Sequence, residues 1–315
     1  MDDLRVGVVV PMVGEASILF EMRAFRDRRK IGMWEVHERR EVFGGTLGDS
    51  TARSVLLGVS IGGIGMANAA MSTSALIQYW RPDIVVLVGC AGAVSPDFLP
   101  GDVAIGRDLC YYASYLTLPD GSVNLDIPGI RVHTDYSLTP DRSQYAVRGE
   151  RKRYLHSDPA LVSLALEAAK DCQAAHGDGE CLASGEGQRN FPALTRWPEE
   201  SGWPSPFRDP ICAPAVIGTA DQINSNAEAI RVIRERFNVQ VEDCETTASA
   251  HAALAHKTPF IAIRGISDNE MINPAYGEFL RSGKGDLGWV EKESTRNAWA
   301  VFLRLIQLLP TRYRG

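Results

Sequence analysis

The chain has 315 residues, of which 45% are hydrophobic and 23% charged, enough to bury the core of one large α/β domain and too apolar for a disordered chain. Its 33 basic residues stand against 39 acidic ones, and a net charge of -6 excludes a polyanion-coating role and gives no reason to expect nucleic-acid binding. The first nine residues, MDDLRVGVV, carry two acids where an export signal would carry positive charge. The apolar run Val6–Val10 is too short to cross a membrane, so a cytoplasmic protein with no membrane partner is expected. Six cysteines (Cys90, Cys110, Cys172, Cys181, Cys212, Cys244) form no CxxC pair and have no histidines at zinc-ligand spacing, so neither a disulfide frame nor a metal site is indicated.

The continuous β-branched run Val6–Val10 predicts a strand buried on both faces, and Glu15–Phe25 a helix after it. The pattern recurs in Ser54–Ser60 followed by a helix over Met66–Trp80. It recurs again in Ile84–Val88, which leads into the small-residue turn GCAGA. A short strand VAIG follows Gly101-Asp102, after which regularity fades. Residues from about 111 to 212 read as an insertion, with a helix over Asp158–Cys172 as its one clear element. Order returns with a strand at Ala215–Gly218, a helix over Ser225–Phe237, a strand at Val239–Val241, a helix over Glu245–His256 and a strand at Phe260–Ile263. A closing helix spans Trp289–Leu309. Apolar runs alternating with helices predict a mixed, twisted central sheet flanked by helices, in a single α/β domain carrying the insertion.

Three acids stand where strands are expected to end: Glu15, Glu245 and Asp268. Ligands gather outside the carboxyl ends of strands in such sheets, so three carboxylates there can converge on one pocket and suit acid/base work. The plainer role of each is to cap a helix or answer its dipole. The turn Gly62-Gly63-Ile64-Gly65 opens a helix and would aim backbone N–H groups at an anion or a polar sugar, but it lacks the dinucleotide-binding spacing. The turn Gly89-Cys90-Ala91-Gly92-Ala93 lets a flat ligand approach the backbone.

The segments VGVVVPMVGE, GVSIGGIGMANAA, RPDIVVLVGCAGAVSPDFLPGDVAIG, GTADQIN and VEDCETTASAHAALAHKTPFIAIRGISD run through the chain in one order. Together they resemble the nucleoside phosphorylase/nucleosidase superfamily, and within it most closely the methylthioadenosine/S-adenosylhomocysteine nucleosidases. The resemblance implies cleavage of a purine N-glycosidic bond without metal or cofactor, in a homodimer or larger homo-oligomer. Asp268 would be the general acid that protonates the purine at N7, and Ser267 would orient it. Glu15 would position and deprotonate the attacking water, while Glu245, in the acid-x-Glu motif Asp243-Cys244-Glu245, would bind the ribose hydroxyls. Cys90, Ala91, Gly92 and Gly65 would line the sugar and base, and Ile223 would offer backbone contacts to the purine edge. Two departures from the family pattern stand out. Cys244 replaces a methionine under the ribose, and Gln222 replaces the aromatic that stacks on adenine, leaving Tyr111, Tyr112 or Trp203 as alternative stacking residues.

Phosphorylases of this superfamily hold phosphate with arginines, one of them at the position where this chain has Leu87. Glu15 in the first turn would repel phosphate, so hydrolysis is expected, with a phosphate-dependent phosphorylase as the alternative and Arg23 and Arg264 as its possible phosphate contacts. The basic cluster Arg148, Arg151, Lys152 and Arg153 is either a solvated charge run or a site for a 5′-phosphate. A second alternative is a non-catalytic purine-binding or interaction module.

Overall fold

In the computed structural model, Val6–Val10 is buried without a break because its strand runs between two parallel neighbours. The structure describes residues 3–25, 27–43, 53–113, 116–120, 123–124, 130–138, 145–176, 192–196, 208–272 and 287–313. The first part of the chain forms β1 (Leu4–Val10), α1 (Val13–Met22), β2 (Asp27–Ile31), β3 (Trp34–Phe43), β4 (Arg53–Ile61), α2 (Met66–Ala75) and β5 (Ile84–Ala93). A π-helical turn, Leu76–Trp80, prolongs α2. Then come β6 (Val103–Tyr111), the short pair β7 (Leu116–Thr117) and β8 (Val123–Asn124), β9 (Ile130–Leu138), β10 (Tyr145–Lys152), β11 (Leu155–His156) and α3 (Pro159–His176). The last part forms β12 (Cys212–Thr219), α4 (Ala227–Phe237), β13 (Val241–Asp243), α5 (Thr246–Ala255), β14 (Phe260–Asn269) and α6 (Leu287–Arg312).

One mixed sheet takes strands from both ends of the chain. β1 pairs parallel with β4 and β5, and the antiparallel hairpin β2–β3 extends the β4 side. The sequence pattern does not reveal that hairpin, because β3 (WEVHERREVF) carries five consecutive polar residues, His37–Glu41, and lacks a buried run. Exposed charged residues on β2 close this edge to further pairing. On the other side the sheet curls into a ring: β5 pairs with β14, β14 with β6, β6 with β12, β12 with β13, and β13 returns to β5.

This ring corrects three boundaries. The GCAGA segment is not a turn but the second half of β5, paired on one side by β14 and on the other by β13. Likewise β14 continues past Ile263 to Asn269, so Asp268 sits within a strand. The strand expected at Val239–Val241 lies instead at Val241–Asp243.

Two apolar layers sandwich the sheet. On one face, α3 (Leu161, Ala165, Ala168, Cys172) and α6 (Trp299, Phe302, Leu305, Leu309) are buried together with β1 and β5. The α6 helix lies so near β14 that a Cβ on Gly265 would stand 1.8 Å from the Ser294 carbonyl oxygen, so no side chain fits there. Within the span read as an insertion, β11 pairs with β6 and α3 packs in this core, while β9 and β10 form a separate antiparallel ribbon with a register shift at Arg148/Gly149. Arg208, near the end of that span, is fastened to buried Asp102 at 2.5 Å. Cys90, Cys110, Cys172, Cys212 and Cys244 are free thiols. Among the described residues no helix is long and apolar enough to cross a membrane.

Candidate active site

The first strand ends at Pro11, and α1 begins with a reciprocal cap in which Met12 N–H donates to Glu15 Oε2 at 2.9 Å. The capping role is thus real, but Glu15 does more. It is wholly buried, and its Oε1 accepts from Cys90 N–H of β5 at 2.5 Å. Its backbone carbonyl is held from α6 by Trp299 Nε1–H at 2.6 Å and the Thr295 hydroxyl at 3.3 Å. Burial raises the Glu15 pKa above the ordinary carboxylate value, against the opposing pull of the Arg264 guanidinium and the Cys90 N–H.

Arg264, on β14, is 1% exposed and joins the acids together. Its Nη2 lies 3.1 Å from Glu245 Oε2 and also donates to the Cys90 carbonyl, while its Nε is 3.3 Å from Asp243 Oδ2. Its Nη1 has no hydrogen-bond partner among the described residues. That atom and Glu15 Oε1 both lie 2.6 Å from where a Cβ of Gly89 would be, so the glycine leaves the space in which they approach. One guanidinium therefore serves the three carboxylates of Glu15, Asp243 and Glu245, and their excess negative charge raises its pKa further despite burial. Asp243 is fully engaged as a positioning residue: it accepts from Thr219 Oγ1 at 2.8 Å, from Glu245 N–H at 3.2 Å and Thr246 N–H at 3.1 Å, and from the Thr246 hydroxyl. In doing so it caps α5.

Glu245 Oε1 accepts from Gly65 N–H at 3.0 Å, and Asp221 Oδ1 accepts from Met66 N–H at 2.7 Å. The glycine turn does aim N–H groups at anions, as its sequence suggests, but the anions are the protein's own carboxylates. Gly63 and Gly65 both have φ of +95°, which a side chain would strain. Asp221 was not legible as a site residue, since nothing in the sequence marks which acid will reach a helix N-terminus 155 residues away.

Asp268 stands across from Gly92 in the β14–β5 register, with Ser267 as the bulged residue beside it. Ser267 Oγ donates to Asp268 Oδ2 at 2.5 Å and approaches the Ala91 carbonyl at 3.2 Å, which leaves Oδ1 turned toward Gly92. Burial pushes the Asp268 pKa up to about 7, with the Glu270 charge adding to the rise and the Ser267 hydroxyl opposing it. Glu15 and Asp268 are thus anchored two residues apart on β5, at Cys90 and Gly92.

Cys90 and Gly92 are partly open, whereas Ala91 is buried into the apolar layer and contributes its carbonyl to Ser267. Burial keeps the Cys90 thiol protonated, reinforced by the Glu15 charge. Cys244 Sγ reaches the Gln222 carbonyl at 3.8 Å, and burial pushes its pKa up to about 12. Gln222 and Ile223 are both exposed, Ile223 by 63%. Tyr112 is not a stacking face: it is 3% exposed and its hydroxyl donates to Glu242 at 2.9 Å. Tyr111 is half-buried beside His251, with ring centroids 6.4 Å apart. Trp203 lies outside the described residues. The phosphate candidates are occupied, since Arg23 pairs with Glu41 at 3.3 Å and Arg264 with its carboxylates. Leu87 is wholly buried in the apolar layer. Arg153 stacks over the Phe237 ring at 5.6 Å. No group of three or more His, Cys, Asp or Glu side chains among the described residues is arranged to hold a metal.

Against this geometry, a family model described as the phosphorylase superfamily matches residues 5–307. The chain belongs to that superfamily. It is 27% identical over 224 residues to a 5′-methylthioadenosine/S-adenosylhomocysteine nucleosidase of Geobacillus thermodenitrificans, covering 70% of each chain. It is 24% identical over 282 residues to that of Anoxybacillus flavithermus, covering 88% of this chain and 92% of the relative. Among solved structures, the Neisseria meningitidis nucleosidase in complex with methylthio-immucillin-A superposes with a TM-score of 0.62 at 20% identity, over 97% of this chain and 100% of the other. Futalosine hydrolase of Helicobacter pylori superposes with a TM-score of 0.63 at 16% identity, over 97% and 98%.

Proposed function

We propose that the protein is an N-ribosyl hydrolase that cleaves the N-glycosidic bond of purine nucleosides or 5′-modified nucleosides and releases the free base. Departure of a purine leaves positive charge on the sugar, so the site needs a neutral acid at the base and a proton acceptor at the water. Asp268, held protonated near neutrality by its burial, donates a proton to N7 and turns the base into a neutral leaving group. Glu15 holds the attacking water and takes its proton, in the manner of the base carboxylate of an inverting glycosidase. Glu245 accepts from the ribose hydroxyls. Asp243, Ser267 and Arg264 hold these three carboxyls in place.

The observation that carries water as the nucleophile is the Arg264 Nη1 group. Among the described residues it is a buried donor without a hydrogen-bond partner, beside Glu15 Oε1, where a water would bridge acceptor and donor. A phosphate is disfavoured here, since the Gly65 and Met66 N–H groups at the start of α2 are taken by Glu245 and Asp221, and the carboxylates of Glu15, Asp243 and Glu245 outnumber the one guanidinium. The deciding experiment is release of free base from purine nucleosides with and without inorganic phosphate. Equal rates are expected; strict phosphate dependence would identify a phosphorylase, and tight binding without release a non-catalytic module.

The chain is also proposed to act as a homo-oligomer. Val13 (69% exposed), Ile64 (58%) and Met71 (55%) leave apolar surface open near the first two helices, as a second copy would cover. Light scattering at micromolar concentration should give at least twice the monomer mass.

A further inference from the structure

Glu242 lies beside the proposed site and plays no part in the reaction above. It sits on β13, opposite Gly92 of β5, and Asp268 of β14 is opposite the same glycine on the other side. Residues paired across strands share a face of the sheet, so the two carboxyls stand on either side of a position with no side chain. A Cβ on Gly92 would come within 3.1 Å of Asp268 Oδ1, so this glycine keeps the space over the strand open. With two interstrand spacings between them, the Glu242 and Asp268 backbones are roughly 10 Å apart. A flat base lying over Gly92 would thus meet one carboxyl at each of two edges.

Glu242 is 9% exposed, and every protein group bonded to it is a donor. Oε2 accepts from Tyr112 Oη–H at 2.9 Å and Asn224 Nδ2–H at 2.6 Å, and among the described residues Oε1 receives only a long bond from Asn224 N–H at 3.3 Å. Asn224 Nδ2 also donates to the Tyr112 hydroxyl at 3.0 Å, and Gln222 Nε2 reaches Asn224 Oδ1 at 3.4 Å. The 222–224 loop, expected to meet the base, is therefore tied directly to Glu242. Burial and the Asp268 charge raise the pKa of Glu242 to about 7, while Asn224 and Tyr112 favour its ionised form.

We propose that Glu242 reads the edge of the base opposite Asp268, and that it selects a 6-oxopurine over adenine. A 6-oxopurine presents a ring N–H to Glu242 Oε1, the oxygen with lone pairs to spare. Adenine presents a lone pair at the same ring nitrogen and, with Glu242 in the ionised form that Tyr112 and Asn224 favour, leaves two acceptors facing each other, which a buried site penalises. The proposal rests on the hydrolase reading for its substrate and on the β13–β5–β14 register for its geometry.

The test is kcat/KM for inosine-, guanosine- and adenosine-type nucleosides, with matched 5′ groups, in the native chain and in Glu242→Gln. The native chain should favour the 6-oxopurines by at least about tenfold. In the variant the amide oxygen takes the place of Oε2, where Tyr112 and Asn224 donate, and turns its NH2 toward the base. Preference should then shift toward adenine while overall thermal stability holds. Native preference for adenine, or an equal loss on all bases in the variant, would overturn the proposal. If no nucleoside releases base, it is the hydrolase reading that fails. Calorimetric binding of hypoxanthine, guanine and adenine then decides the base reader: 6-oxopurine preference lost in Glu242→Gln supports it, and equal or adenine-favoured binding by the native chain overturns it.

Discussion

Asp268→Asn is expected to lower kcat and kcat/KM for base release together, by about 10²–10⁴-fold, because the isosteric amide keeps the Ser267 contact but has no proton to give. The native enzyme should show the matching pH dependence. The working form of Asp268 is protonated, so activity falls as pH rises through about 7. The residual activity of the variant should lack that alkaline limb. Stability runs in the same direction. A carboxyl whose folded pKa is raised from 3.8 to about 7 favours the fold below the lower value, and that contribution is lost as pH rises through the upper one. Asp268→Asn should consequently be more thermostable than the native chain at pH 8, by up to a few kcal/mol, with the difference vanishing near pH 4. A variant that keeps most of its activity would remove Asp268 from the role of acid.

Arg264→Met is expected to destabilise the fold by about 3–5 kcal/mol at pH 7, since it leaves Asp243 and Glu245 buried with no counter-charge and Glu15 without its nearest cation. The three acids cannot relax toward water, because each is tied to backbone N–H groups of other elements: Glu15 to β5, Glu245 to the turn before α2 and Asp243 to the start of α5. Urea denaturation should show the deficit shrinking as pH is lowered to 5, where Glu15 and Glu245, their pKa values already raised by burial and raised further by loss of the cation, take up protons and their buried charge disappears. In the remaining folded protein at low temperature, kcat should fall and KM should rise, because the group removed holds both Glu15 with its water and Glu245, the acceptor for the ribose hydroxyls. Unchanged stability would mean that the carboxylates are not held by the guanidinium.

Much of this could be read directly from residues. The run Val6–Val10 admitted only a buried strand, and its identity as β1, between two parallel neighbours, followed from its apolarity on both faces. The closing helix was equally plain from its 3.6-residue period. GCAGA misled because small residues make good turns. They serve here as strand, since two partners satisfy the backbone and the missing side chains leave space for Glu15, Arg264 and Asp268. The β2–β3 hairpin was hidden for the opposite reason, its polar residues being compatible with a solvated edge strand as well as with a loop.

The sequence by itself determined the alternation of strands and helices, the three acids Glu15, Glu245 and Asp268, and the absence of an arginine at Leu87, because each is a property of local residue type and spacing. Only the tertiary structure decided which carboxyls are pushed up by burial and which are held by donors. It also decided that Arg264 pairs with Asp243 and Glu245, and that Glu242 stands across Gly92 from Asp268. Those outcomes depend on burial and on partners brought from distant parts of the chain, and a carboxyl's charge is set by what surrounds it in space, not by its neighbours in sequence.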